Sequence, residues 1–211
     1  MNDFLSPPPI DPLPPAPLLE RFLFEQPLLP VVVLGLLAGI AVFAFARSGK
    51  RGRGLAVGLV LALCAAGIYA AAAMVTTTRE TLLQRSEALI AATAGADTRA
   101  LAGLLTDDAR LNADGDIRRV VPPTDDVQDI LGRVESTLNG RFRVLSWSIP
   151  DRQATVDGPN VGRTLLRVAV DVEGAGRTHY SWWQLHWAQG PEGTWRCFEI
   201  EPLWIQFVGS N

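Results

Sequence analysis

The residues that could do chemistry are concentrated in HYSWWQLHWAQGPEGTW, residues 179–195, which holds both histidines of the chain and four of its six tryptophans. Two histidines could bind a metal ion or transfer protons, whereas clustered tryptophans suit a binding platform or a hydrophobic core. His179 and His186 are an odd number of positions apart, so in an unbroken strand they point to opposite faces. A shared metal site is therefore not expected, and Cys197 alone does not complete one.

No catalytic motif accompanies these residues in the sequence. There is no nucleophile elbow, phosphate-binding loop or paired metal motif, and the glycines at 174 and 176 fit a turn. His179, near a strand end, is a lone acid–base candidate, but a lone histidine is more often structural or exposed. The sequence assigns no catalytic residue and indicates neither a metal nor a cofactor.

Period-two alternation after Gly140 predicts the strands that position this stretch. The predicted strands are RFRVLSWSI, QATVDG, TLLRVAVDVEG, THYSWWQLHWAQ and TWRCFEIEPLWI, separated by turns rich in Pro, Gly and Asp.

Alternation along the last three strands predicts one face turned toward the core and an outer face turned away from it. The core face would carry Leu166, Val168, Val170, Val172, Trp183, Leu185, Trp187, Phe198 and Ile200. The outer face would carry Arg167, Asp171, Tyr180, Trp182, Gln184, His186, Trp195, Cys197, Glu199 and Glu201. Large aromatics on a polar sheet face favour contact with a partner, so this face is predicted to bind a partner or ligand. Plain solvation is the alternative.

Three helices are predicted before these strands. TTRE, residues 77–80, fits a capping box for a helix that ends near Gly95. Asp97 or Thr98 caps a shorter helix, and a third helix begins at Thr124 with acidic residues in its first turn. The third helix has apolar residues at helical spacing, namely Val127, Ile130, Leu131, Val134 and Leu138.

Helices followed by a strand meander predict an α+β domain over residues 77–211. The segment GADTRALAGLLTDDARL and the closing hairpin WWQLHWAQGPEGTWRCFEIEPL resemble the nuclear transport factor 2-like superfamily, which includes SnoaL-like and ketosteroid-isomerase-like proteins. The resemblance implies a cone-like domain in which three N-terminal helices pack on a curved, mainly antiparallel sheet. It also implies a homodimer or partner interface on the outer face. Enzymes of this superfamily use Asp, His, Tyr or Arg inside the cone, but no residue here matches their catalytic motifs.

Two uncharged apolar segments, residues 28–46 and 55–75, predict a transmembrane hairpin because each is long enough to cross the bilayer as a helix. The loop between them, RSGKRGRG, contains four basic residues and no acid: Arg47, Lys50, Arg51 and Arg53. The positive-inside rule then places this loop in the cytoplasm and both termini outside it, in the periplasm of a cell with an inner membrane. Neither span contains Asp, Glu, Lys, Arg or His, so the hairpin is interpreted as an anchor rather than a transport path. GLLAG, residues 35–39, has GxxxG spacing and is expected to pack the two helices on each other.

The N-terminal tail, residues 1–26, contains PPPIDPLPPAP, which predicts an extended polyproline segment. LLERFLFEQ, residues 18–26, fits a short amphipathic helix at the membrane surface. The tail is therefore followed by the hairpin, residues 27–76, and by the extracytoplasmic domain, residues 77–211. The net charge of −3 does not suggest a nucleic-acid partner.

The sequence thus predicts a membrane-anchored, non-catalytic binding or assembly module. Its partners would be the lipid bilayer and either a second copy or a subunit of a membrane complex. The alternative is a membrane-tethered isomerase, dehydratase or hydrolase that acts on a small molecule inside the cone.

Overall fold

The computed structural model describes residues 9–15, 28–74, 77–140 and 143–206. The chain divides into two compact units. One unit is Pro15–Thr77, and the other combines Met1–Pro14 with Thr78–Asn211. The amphipathic segment predicted at residues 18–26 lies outside the described residues.

The first unit is a helical hairpin of α1 (Leu28–Arg47) and α2 (Arg51–Met74). By length and composition, both helices could cross a membrane. Their large apolar side chains, such as those of Leu36, Phe43 and Leu63, are exposed in the isolated chain, as a lipid-facing surface requires.

Close packing within the hairpin depends on Gly54 and Gly58 rather than on the GxxxG pair. A Cβ atom at Gly58 would lie 2.6 Å from Val42 Cγ2, and one at Gly54 would lie 2.7 Å from Phe45 Cβ. A Cβ atom at Gly35 or Gly39 would meet nothing within 4 Å. At the loop end of α2 a larger residue at position 54 or 58 would therefore have to displace side chains of α1.

The second unit is an α+β domain, which confirms the predicted fold class. Its elements are α3 (Thr78–Ala94), α4 (Thr98–Leu104), β1 (Leu105–Leu111), a 3-10 turn (Ile117–Arg119), α5 (Val127–Gly140), β2 (Val144–Gly158), β3 (Val161–Val172), β4 (Thr178–Gln189) and β5 (Trp195–Ile205). Within the described residues the strands form one sheet in the order β1-β5-β4-β3-β2. The β1–β5 pair is parallel, and the other pairs are antiparallel.

Two helix starts show how local hydrogen bonds set the boundaries. Asp97 caps α4, and its carboxylate accepts a hydrogen bond of 2.9 Å from the Ala100 amide. The third helix begins at Val127 rather than at Thr124, because the backbone of Thr124 pairs with that of Leu111. Asp126 accepts a hydrogen bond of 2.8 Å from the Gln128 amide at the start of that helix.

Two strands differ from the prediction. The segments RFRVLSWSI and QATVDG belong largely to one long strand, β2, which continues through Pro150. β2 is an edge strand, and its register shifts between Ser148 and Asp151, which is a setting that tolerates proline. No strand was predicted for LTDDARL, whose first residue was assigned to the preceding helix, but it forms β1 beside β5.

The core lies between the helices and one face of the sheet. It contains Leu82 and Leu89 of α3, Leu101 and Leu104 of α4, and the sheet residues Ala154, Leu166, Val168, Leu185, Trp187, Trp195, Cys197 and Ile200. The predicted core rows of β3 and β4 are correct for Leu166, Val168, Leu185 and Trp187, and Trp183 packs against the cluster while partly buried.

A β-bulge reverses the faces predicted for the first half of β5. His186 pairs with Glu199 and Trp187 pairs with Cys197, so Phe198 is skipped in the register. Trp195 and Cys197 therefore point into the core, where they are 4% and 0% exposed. Their placement on the outer face was wrong, as was that of Phe198 in the core, because alternation holds only in a strand without a bulge. Phe198 instead stacks near His186 on the outer face, with ring centroids 5.8 Å apart.

Candidate binding face

The outer face is built from three rows of side chains that run across the strands. One row contains Arg163, His186 and Glu199, the next Leu165, Gln184 and Glu201, and the third Arg167, Trp182 and Trp204. Tyr180, opposite Ala169, follows the third row. Of the ten residues predicted for the outer face, these rows bring together seven: Arg167, Tyr180, Trp182, Gln184, His186, Glu199 and Glu201.

Glu199 anchors a charged cluster at the β1 side of the outer face. Arg110 Nη2 donates to Glu199 Oε2 at 2.9 Å, and Asn112 Nδ2 donates to the other carboxylate oxygen at 3.1 Å. Burial raises the pKa of Glu199, but these hydrogen bonds and the nearby His186 outweigh burial and hold its pKa below the usual range. Glu199 is therefore a stably ionised, paired carboxylate rather than a proton donor.

The sequence did not indicate Arg110 or Asn112 as members of this site. Arg110 lies in β1, and Asn112 directly follows that strand. The β1 segment LTDDARL contains two aspartates and a single β-branched residue, threonine, so its composition does not indicate a strand. Only the parallel pairing of Arg110 with Glu199 reveals their position.

Gln184 links the second and first rows. Its Nε2 donates to Glu201 Oε2 at 3.2 Å and lies 3.0 Å from His186 Nε2. His186 Nε2 is in turn 3.6 Å from the same Glu201 oxygen. These polar groups therefore partner one another. Within the described ranges, no group of three or more His, Cys, Asp or Glu could hold a metal ion.

The third row is aromatic and contains one guanidinium group. Arg167 Cζ lies 4.6 Å from the centre of the Tyr180 ring, which is a cation–π contact. Trp182 lies between Arg167 and Trp204, and all these residues are half-buried. Arg167 Nε and Trp182 Nε1 are shielded from solvent, yet neither forms a hydrogen bond to any described residue. We call Arg167, Tyr180, Trp182 and Trp204 the aromatic row.

Asp171 has a role apart from this row. Its carboxylate accepts hydrogen bonds of 2.6 Å from the hydroxyls of Ser146 and Thr178, and these two bonds lower its pKa. Since Ser146 lies on β2 and Thr178 on β4, Asp171 ties its own strand to both neighbours at the end of the sheet.

Three polar side chains inside the core form a chain of hydrogen bonds. Trp187 Nε1 donates to Thr164 Oγ1 at 3.0 Å, and Thr164 Oγ1 lies 2.9 Å from Ser86 Oγ, which donates to the Leu82 carbonyl. In the first half of β4, Trp183 Nε1 donates to Ser181 Oγ at 2.7 Å. His179 shares this face, because it pairs with Val170 of the core row. The two histidines therefore do point to opposite faces, as their spacing predicts.

Comparison by sequence finds no matching family profile and no matching curated protein. Comparison by structure finds similar folds at low sequence identity. A nuclear transport factor 2-like protein from Cytophaga hutchinsonii is 14% identical, with a TM-score of 0.49 over 60% of this chain and 98% of that one. A hexachlorocyclohexane dehydrochlorinase from Novosphingobium barchaimii is 8% identical, with a TM-score of 0.48 over 60% of this chain and 85% of that one.

The association domain of C. elegans CaMKII is also similar. It is 10% identical, with a TM-score of 0.47 over 57% of this chain and 91% of that one. The resemblance inferred from the sequence is thus found again among solved structures, and it concerns the fold alone.

Proposed function

We propose that the protein is a membrane-anchored, non-catalytic assembly module whose domain lies outside the cytoplasm. It binds a protein partner, either a second copy of the chain or a subunit of a membrane complex, through the outer face of its sheet. The observation that carries this proposal is the aromatic row, in which a guanidinium and three large rings form one half-buried surface.

Arginine, tyrosine and tryptophan are the residues most enriched at the energetic centre of protein interfaces. The aromatic row lies beside a charged cluster whose members already form hydrogen bonds with one another. This arrangement matches a protein interface, in which an apolar centre is surrounded by a polar rim. The same pairing argues against acid–base chemistry on this face, because Glu199 is held ionised by Arg110 and Asn112.

The proposed location rests on α1 and α2 together with the basic residues where they meet: Arg47 at the end of α1, Lys50 between the helices, and Arg51 and Arg53 in the first turn of α2. A contact within the second unit supports an even number of spans. The Leu13 amide, before α1, donates to Gln153 Oε1, after α2, at 3.0 Å. Chain segments in contact must lie on the same side of a bilayer, and a two-span hairpin meets that condition.

Self-association of the full chain in detergent, measured by sedimentation over a concentration series, tests the interface. Trp182→Ala combined with Trp204→Ala should raise the dissociation constant by about thirtyfold or more, as truncation at an interface centre does. Leu145→Ala is the matched control, since Leu145 is 62% exposed on the same sheet but lies outside the aromatic row.

If the wild-type chain stays monomeric, the homodimer form fails. The complex form is then tested by cross-linking in native membranes. The interface is supported if a partner that cross-links to the wild-type chain also cross-links to Leu145→Ala but not to the double variant. Equal recovery of the partner with the wild type, the double variant and Leu145→Ala would overturn the interface.

A second candidate function, a membrane-tethered isomerase, dehydratase or hydrolase, rests on His179, which lies on the core face with Ser181 and Trp183. A base in that position could remove a proton from the carbon atom next to a carbonyl group. Hydrogen–deuterium exchange at the α-carbon of a cyclic ketone would test it. Exchange that is accelerated by the wild-type protein and lost in His179→Gln would favour the enzyme over the assembly module.

A further inference from the structure

A short proline-rich segment contacts the domain from the other end of the chain. Residues 9–14, which we call the strap, belong to the same compact unit as residues 78–211. Besides the bond from Leu13 to Gln153, Arg79 Nη2 donates to the Pro14 carbonyl at 2.7 Å. Two consecutive strap residues are thus held through their backbones, one by its amide and the other by its carbonyl.

The burial of the strap has a period of three. Ile10 and Leu13 are half-buried, whereas Pro9, Asp11, Pro12 and Pro14 are exposed. A polyproline helix has three residues per turn, so Ile10 and Leu13 lie on one edge of such a helix. The strap therefore has the pattern of a polyproline segment that docks through a single apolar edge.

The strap contacts the edge strand β2 through Gln153 and the first turn of α3 through Arg79. Gln153 lies directly opposite Leu165, in the row that continues to Gln184. Leu165 is 1% exposed and Ala169 is 6% exposed, yet neither belongs to the core cluster beneath the helices. These two apolar side chains of the outer face are therefore buried apart from the core cluster.

We propose that the surface formed by Gln153 of β2 and Arg79 of α3 is a docking site for extended, proline-rich segments, and that the strap of the same chain is its resident occupant. The chemistry of recognition follows from the two backbone bonds. Proline has no amide hydrogen, so Gln153 accepts from Leu13, one of the strap's non-proline residues, while Arg79 donates to the carbonyl that Pro14 retains.

The prolines restrict the free segment to an extended shape, which reduces the entropy lost on docking. A competing ligand would be another chain segment of the same type, with apolar residues three positions apart. It would have to displace the strap, whose effective concentration is high because it is covalently attached.

The test uses the full chain in detergent and a fluorescent peptide, PPIDPLPPA, which copies the strap. The receptor variant carries Ile10→Asp and Leu13→Asp, which should undock the strap. The peptide should bind this variant at least about tenfold more tightly than wild type, where the tethered strap competes. Adding Gln153→Ala should abolish the gain, and Asp11→Ala, at an exposed strap position, should bind peptide as weakly as wild type.

Thermal unfolding of the undocked variant checks that the domain is still folded, so that failure to bind is informative. Equal peptide binding by wild type and the undocked variant would overturn the docking site. A cross-link between positions 12 and 151, formed after Cys64→Ala with cysteines at those positions, should stay within one chain; position 151 lies on the same face of β2 as Gln153 and leaves that acceptor intact. A cross-link found only between two chains would overturn the resident strap. None of these readouts depends on Trp182 or Trp204, so they are independent of the proposed interface.

Discussion

Trp187 lies directly opposite Cys197 across strands β4 and β5. Both side chains are fully buried, and burial raises the pKa of the Cys197 thiol to about 12. Trp187 is also held by its hydrogen bond to Thr164, so this pair sets which residues of β5 face the core.

Replacement of Trp187 by alanine should reduce the free energy of unfolding by about 3–5 kcal/mol, because it removes a fully buried aromatic side chain. Trp187→Phe keeps most of the ring but leaves the Thr164 hydroxyl short of one donor, and should cost about 1–3 kcal/mol. Urea unfolding of the detergent-solubilised chain, followed by near-ultraviolet circular dichroism, measures both. If Trp187→Ala unfolds at the same urea concentration as the wild type, the assignment of Trp187 to the core is wrong.

Substitutions at the helix contact should distinguish Gly58 from Gly35. Gly58→Val places side-chain atoms where Val42 already lies, whereas Gly35→Val meets open space. Gly58→Val should therefore loosen the hairpin, and Gly35→Val should not. The yield of a disulfide between cysteines introduced on facing positions of α1 and α2 reports this contact. Equal yields from the two variants would show that glycine is not required there.

Acidification should destabilise the domain partly through Glu199. The pKa of this group is lower in the folded chain than in the unfolded one, so its contribution is present above the unfolded value of about 4.3 and is lost as pH falls through the folded value. Glu199→Gln should be less stable than wild type at pH 7, and the difference should shrink toward pH 3. Asp171 also has a lowered pKa, so some acid sensitivity should persist in the variant. If the free energies of unfolding of the wild type and Glu199→Gln differ by the same amount at every pH from 7 to 3, the assigned role of Glu199 is wrong.

Neutralisation of Arg47, Lys50, Arg51 and Arg53 should give mixed membrane orientation. The positive-inside rule makes these charges the main determinant of orientation for a hairpin with uncharged spans. A reporter fused after Asn211 that is active only outside the cytoplasm should lose part of its activity. Replacement of Arg118 and Arg119, which lie in the domain, provides a charge-matched control for two of these changes. Activity of a cytoplasm-only reporter on the wild-type chain would contradict the proposed orientation.

The sequence predicted those parts of the fold in which local pattern and tertiary contacts agree. Asp97 has a capping side chain and an apolar helical segment after it, and α4 starts there. In β3 and β4 the strands pair without interruption, so alternation alone placed Leu166 and Trp187 in the core and Trp182 on the outer face.

Prediction failed where a distant contact decided the local structure. The bulge at Phe198 depends on how β5 pairs with β4, and a bulge leaves no clear signal in the sequence WRCFEIEPL. β1 has a sequence poorly suited to a strand and is stabilised by its parallel neighbour β5. Glu199 was placed on the correct face, but its partners Arg110 and Asn112 could not be found without that pairing.

The position of Pro150 in the edge strand β2 affects how the domain can associate with other proteins. An exposed strand edge is a template on which another chain can add a strand, and this is a common route to aggregation. Pro150 has no amide hydrogen to offer an added strand, and the register shift between Ser148 and Asp151 disturbs the regular spacing of the neighbouring amides. The edge is thereby protected against continuation of the sheet from one molecule into the next. The proposed association through side chains on the face of the sheet does not use this edge.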